Sequence, residues 1–170
     1  MGMSNLPRII ALNRLNLLSN LVGRTVIGLA FGFLFGMAGM FLGWFVYLFA
    51  VPRSSITMLT ILITSGGVGA AAGTVVSWVS LRHNRPRSLV LGFVLSATTG
   101  IGGAFSAYLY IASQGELLIE IDRLAVMYRP DINPTLVMVA GATVAANAAA
   151  LLLAVRRGLA DAKRVEPFRF

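Results

Sequence analysis

Cysteine is missing altogether from the 170 residues. Disulfides, thiolate metal ligands and cysteine nucleophiles are therefore excluded. Charge is scarce: 12% of the residues are charged, about half the roughly 25% of an ordinary soluble domain. Acids are scarcer still, with six in the chain. Four of them, Glu116, Glu120, Asp122 and Asp131, share one stretch. The single histidine, His83, lies in the basic segment Arg82-His83-Asn84-Arg85-Pro86-Arg87.

These absences narrow the function. Four long runs, Thr25 to Val51, Ser54 to Leu81, Ser88 to Gly115 and Thr135 to Val155, contain no Asp, Glu, Lys, Arg or His; Pro52 and Arg53 separate the first two. Proton relays and ion paths through membranes use such side chains, so proton-coupled transport is disfavoured. Haem ligation by histidine within the runs is excluded. No carboxylate pair faces a common cleft, and no glycine motif carries the Lys-Ser/Thr of a phosphate loop. The chain is expected not to be an enzyme and to hold no cofactor and no metal.

What is abundant is apolar: 57% of the residues are hydrophobic, and mean hydropathy is +0.82. Each charge-free run exceeds the ~20 residues needed to cross a hydrocarbon core about 30 Å thick. The sequence therefore predicts an all-α polytopic membrane protein, an antiparallel bundle of four transmembrane helices at about 25–51, 54–81, 88–113 and 135–155. The first apolar run starts late, is too long and lacks a cleavage pattern, so no cleavable signal peptide is expected.

Basic residues set the expected orientation. Of the 14 Lys and Arg, eleven (Arg8, Arg14, Arg24, Arg82, Arg85, Arg87, Arg156, Arg157, Lys163, Arg164 and Arg169) fall on the side of the termini. Arg53, Arg123 and Arg129 fall on the other. The positive-inside rule then places both termini in the cytoplasm, with the plasma (inner) membrane as the expected location. The net charge of +8 is distributed along the edges of apolar runs. Anionic lipid headgroups are its expected partner, and nucleic acid is not.

Two segments outside the runs have amphipathic spacing. In the cytoplasmic N-terminal segment 1–24, Leu6, Ile9, Ile10, Leu17, Leu18 and Leu21 share helical spacing. In the outer segment 116–129, Leu117, Leu118, Ile121, Leu124, Ala125 and Tyr128 do so. Both are expected to lie at the membrane interface. Trp44, Phe45, Tyr47 and Phe49, with Phe105, Tyr108 and Tyr110, fit an aromatic belt on the outer side. Residues 156–170 form a basic tail.

Small residues are the most informative feature. Gly28, Gly32, Gly36, Gly39 and Gly43 fall within an arc of about 80° at 100° per residue. Gly92, Ser96, Thr99, Gly100, Gly103 and Ala107 fall within about 100° by the same geometry. Gly69 and Gly73 join them in the second run, and alanine and glycine dominate the fourth. Burying leucine against another helix gains little in lipid, whereas close backbone approach gains dispersion and Cα–H···O contacts. A glycine-zipper face of this kind predicts tight packing, against a neighbouring helix of the same chain or of a partner.

A second pattern pairs Thr64-Ser65-Gly66-Gly67-Val68-Gly69-Ala70 with Thr98-Thr99-Gly100-Ile101-Gly102-Gly103-Ala104. With Asn147, the residues Thr64, Ser65, Thr98 and Thr99 form a candidate mid-membrane polar site. The stretches read either as packing motifs crossing at the waist or as unwound turns of a transporter. Asn147 reads first as an interhelical hydrogen-bond donor and acceptor. The expected function is a structural or accessory subunit of a larger membrane complex, with membrane proteins or further copies of itself as partners. The alternative is a small channel or facilitator for a neutral or weakly bound solute.

Overall fold

The computed structural model describes residues 6–49, 54–78, 86–113 and 133–165, with side chains over 19–49, 54–78, 89–113 and 133–156. Four helices account for nearly all of them: α1 Leu6–Leu48, α2 Ser55–Trp78, α3 Pro86–Ser113 and α4 Pro134–Val165. All four contain a span long and apolar enough to cross a membrane, over Ser19–Leu48, Ser55–Trp78, Leu89–Ser113 and Pro134–Arg156.

Local chemistry sets the helix starts. Ser54 caps α2: its Oγ accepts from the Thr57 amide at 3.1 Å and pairs with Thr57 Oγ1 at 2.8 Å. Asn133 caps α4, its Oδ1 accepting from the Thr135 amide at 3.0 Å. Both side chains satisfy amide groups that a helix N-terminus leaves open. Proline opens α3 and α4, at a position where its missing N–H is not needed.

The expected division at Arg24 is absent. α1 runs unbroken for 43 residues, about 65 Å at 1.5 Å per residue. No proline falls between Pro7 and Pro52, and nothing else there stops propagation. Across the expected boundary, Arg24 Nε donates to Asn20 Oδ1 at 3.1 Å, and Thr25 Oγ1 donates to the Leu21 carbonyl at 2.8 Å. The N-terminal segment therefore continues the first span as one helix. α4 likewise passes the expected end at 155 and reaches Val165. The outer segment 116–129 and the basic loop at 82–85 lie outside the described residues.

α1 packs on α2 and α4, and α3 packs on α4 and α2. α2 and α4 also touch each other, whereas α1 and α3 do not meet among the described residues. The centre is built from small and medium side chains, with Met40, Ile63, Ala70, Ala104, Met138, Val139 and Ala142 in one buried cluster. The bulky residues are outside: Leu34, Phe41, Leu42, Phe45, Leu91, Leu109 and Leu152 are exposed. A soluble domain buries such side chains, while a helix in lipid gains nothing by doing so.

Candidate functional site

Residue numbers rising along α1 meet falling numbers on both neighbours. A methyl built on Gly28 would lie 2.7 Å from Asn147 Oδ1 and 2.9 Å from Ser77 Oγ. On Gly32 it would lie 2.8 Å from Thr74 Oγ1 and 2.9 Å from Thr143 Cγ2. On Gly36 it would lie 2.9 Å from Val139 Cγ1 and 3.4 Å from Ala70 Cβ. One turn separates each step. The α1–α2–α4 junction is thus layered: Gly36 with Ala70 and Val139, Gly32 with Thr74 and Thr143, Gly28 with Ser77, Trp78 and Asn147.

The layers grow more polar toward Arg24. In the outermost, Trp78 Nε1 donates to Asn147 Oδ1 at 2.8 Å, and Asn147 Nδ2 donates to the Thr25 carbonyl at 2.9 Å. An indole N–H can only donate and a carbonyl can only accept, so the partners fix which way the amide faces. Asn147 is 3% exposed, and one side chain therefore ties three helices together. Arg24 Nη1 closes the end by donating to the Trp78 carbonyl at 3.4 Å, where the last turn of α2 leaves carbonyls open.

Toward the other end, α1 and α2 come into backbone contact. Gly39 faces the Ser65 carbonyl, Gly69 faces the Phe35 carbonyl, and Gly73 faces the Phe31 carbonyl. Gly43 faces the Ser65 side chain. Any side chain at these four positions would collide with the opposite helix. Between α3 and α4, Gly103 and Gly141 each face the other's carbonyl, and a methyl on Gly141 would lie 2.8 Å from Ala107 Cβ. Gly100 touches α2 and α4 together, with the Gly67 carbonyl at 2.8 Å and Ala146 Cβ at 3.5 Å from a built methyl. Ser96 is buried.

Gly92 departs from this pattern. Among the described residues a methyl there meets nothing within 4 Å, so Gly92 makes no close helix contact with them. It lies within the arc of Ser96 and Gly103, but near the end of α3, where no described neighbour comes close enough to use the space.

The mid-membrane polar set is not brought together. Thr64 and Thr98 are exposed, and their hydroxyls donate to the carbonyls of Thr60 and Val94 on their own helices at 2.7 and 2.9 Å. Thr99 donates to Leu95 at 2.9 Å, and Ser65 to Leu62 at 3.3 Å. Asn147 sits in a different place, beside Trp78. The two similar stretches do meet, through glycine: a methyl on Gly67 would lie 2.6 Å from the Ile101 amide nitrogen. Both stretches are continuous α-helix.

Three participants carried little signal in the sequence. Trp78 stands at the basic end of its helix, half-buried, where an indole N–H withdrawn from water needs an acceptor. Thr74 and Thr143 are one turn from Trp78 and Asn147 respectively, and are 0% and 3% exposed. The face of α4 turned inward runs through Val139, Thr143 and Asn147, while Ala140 is exposed.

No protein-family model, no curated protein and no solved structure matches this chain.

Proposed function

We propose that the chain is a small integral membrane protein, an antiparallel four-helix bundle that serves as a structural or accessory subunit of a larger membrane assembly. The falling register between α1 and both its neighbours supports the antiparallel arrangement. The distribution of Arg and Lys supports cytoplasmic termini, placement in the plasma (inner) membrane and contact with anionic headgroups.

The observation that carries the subunit reading is the use of the polar groups. Asn147 commits both ends of its amide to neighbouring helices, and Thr64, Thr98 and Thr99 return their hydroxyls to their own backbones. Nothing in this set is left to line a path for a solute or to carry out acid–base chemistry. Meanwhile α3 has the least buried of the four spans. Its exposed side carries Gly102, with Thr98 and Ser106 one turn away on either side. Small residues facing outward suit contact with a further helix.

Extraction in several mild detergents followed by native sizing tests this reading. A particle larger than the 18.1 kDa chain with defined companions is expected. A lone monomer throughout would overturn it. Gly102→Leu should leave the fold intact and weaken the association.

A second reading, a facilitator for a small neutral solute, draws on the buried hydroxyls of Thr74, Ser96 and Thr143, which have no protein hydrogen-bond partner. Liposomes containing the purified chain that pass no neutral solute would argue it down.

A further inference from the structure

The end of the α1–α2–α4 junction carries a charge without a counter-charge. Arg24 stands one turn before Gly28, so it follows the layer of Ser77, Trp78 and Asn147. It is half-buried. Its Nε donates to Asn20 Oδ1 at 3.1 Å and its Nη1 to the Trp78 carbonyl at 3.4 Å. Both partners are neutral, so they orient the guanidinium and leave its charge in place. The remaining N–H groups, both on Nη2 among them, have no partner among the described residues.

No described side chain is acidic: Glu116, Glu120, Asp122, Asp131, Asp161 and Glu166 all fall elsewhere. On the four helices the one acid is Asp161. The pairing of Gly28 with Asn147 and of Gly32 with Thr143 puts Arg24 level with Leu151. Asp161 follows about 15 Å further along α4 at 1.5 Å per residue. The open carbonyls at the end of α2 favour a cation nearby, but they supply partial charge only.

We propose that Arg24 binds the phosphodiester of one anionic phospholipid, seated at this end of α1 and α2. The inference rests on the reading of the chain as membrane-spanning and deepens its headgroup contact to a single site. Arginine takes phosphate oxygens through charge-assisted N–H bonds, roughly twice as strong as neutral ones. Holding the side chain beforehand lowers the ordering cost of binding.

The flank of α1 beside Arg24 provides for the rest of the lipid. Gly23, Ile27, Ala30 and Leu34 are all exposed and fall within an arc of about 60° at 100° per residue. A methyl built on Gly23 meets no described residue within 4 Å. The strip runs from the charged end toward mid-span, which suits an acyl chain and gives a free phosphate nothing. Arg156 is the contrast. It is exposed on α4 and makes no hydrogen bond with a described residue.

Lipid binding to the full purified chain in an uncharged detergent tests the proposal, with native mass spectrometry counting retained lipids and titration giving affinity. Wild-type protein should keep a single phosphatidylglycerol per chain, more tightly than phosphatidylcholine, whose own cation competes for the phosphate. Inorganic phosphate should not displace it. Arg24→Gln should weaken phosphatidylglycerol binding by about tenfold or more, as expected for a lost charge-assisted bond. Arg156→Gln should change it by less than about twofold, as expected for a solvent-screened charge. Equal losses from the two variants would mean diffuse surface charge and overturn the site. Displacement by inorganic phosphate would make it a site for free anions and overturn the lipid. Wild-type protein that retains no phosphatidylglycerol overturns the proposal however the variants fold. None of these results touches the membrane-spanning reading, which fails instead if the chain purifies without detergent.

Discussion

Gly39 and Gly69 stand against one another across α1 and α2. A methyl built on either lies 3.2 Å from the other's Cα, and each also faces a carbonyl of the opposite helix, Ser65 for Gly39 and Phe35 for Gly69. The obstruction is backbone on both sides, so no rotamer change can relieve it.

Gly39→Ala and Gly69→Ala should therefore each destabilise the protein by about 1–3 kcal/mol, the usual range for overpacking. The two losses should add to less than their sum, because a single separation of the helices accommodates both methyls. Thermal unfolding in detergent or nanodiscs gives both results. Equal stability to wild type would show that the helices do not approach this closely.

Gly102→Ala should behave oppositely. Among the described residues nothing lies within 4 Å of its methyl, and alanine exceeds glycine in helix propensity by up to about 1 kcal/mol. The isolated chain should be unchanged or slightly more stable, and Gly92→Ala should follow it for the same reason. A loss at either position in the isolated chain would mean that α3 is rotated from the orientation described.

The Trp78–Asn147 pair should show measurable coupling. Trp78→Phe removes the donor and Asn147→Ala the acceptor, so each leaves one buried group unpaired. Interhelical hydrogen bonds of this kind in membranes average about 0.6 kcal/mol and reach about 1.7 kcal/mol. The upper part of that range is expected, because Asn147 also holds the Thr25 carbonyl. Zero coupling in a double-mutant cycle would remove the bond from the account of stability.

The absence of native cysteine allows the orientation to be read with single introduced thiols. A cysteine at Gln114 should react with a membrane-impermeant reagent in intact cells. One at Lys163 should react only after the membrane is opened. The reverse pattern would invert the topology inferred from arginine placement.

Much of the architecture was legible from local pattern. Charge-free runs of sufficient length read as spans, since each helix must satisfy its own backbone in lipid. The five glycines of α1 read as one face, since helical periodicity alone places them there. The continuity of α1 through Arg24 was not legible, because a change in polarity resembles a boundary even where no residue breaks the helix. The polar set was also misplaced. Depth along a span says nothing about rotation, and Thr64 and Thr98 share a level with the interior while facing outward.

The sequence by itself determined the number of apolar helices, the small faces they carry and the exclusion of thiol chemistry. These follow from composition and the 3.6-residue turn, which act within a single helix. Tertiary structure alone decided that Asn147 meets Trp78, 69 residues away, and the Thr25 carbonyl, 122 residues away. It also decided that Thr74 and Thr143 share Gly32, and that Gly92 and Gly102 meet no other described residue closely. Register and rotation between helices arise from many weak contacts summed over several faces at once, and no single segment encodes that sum.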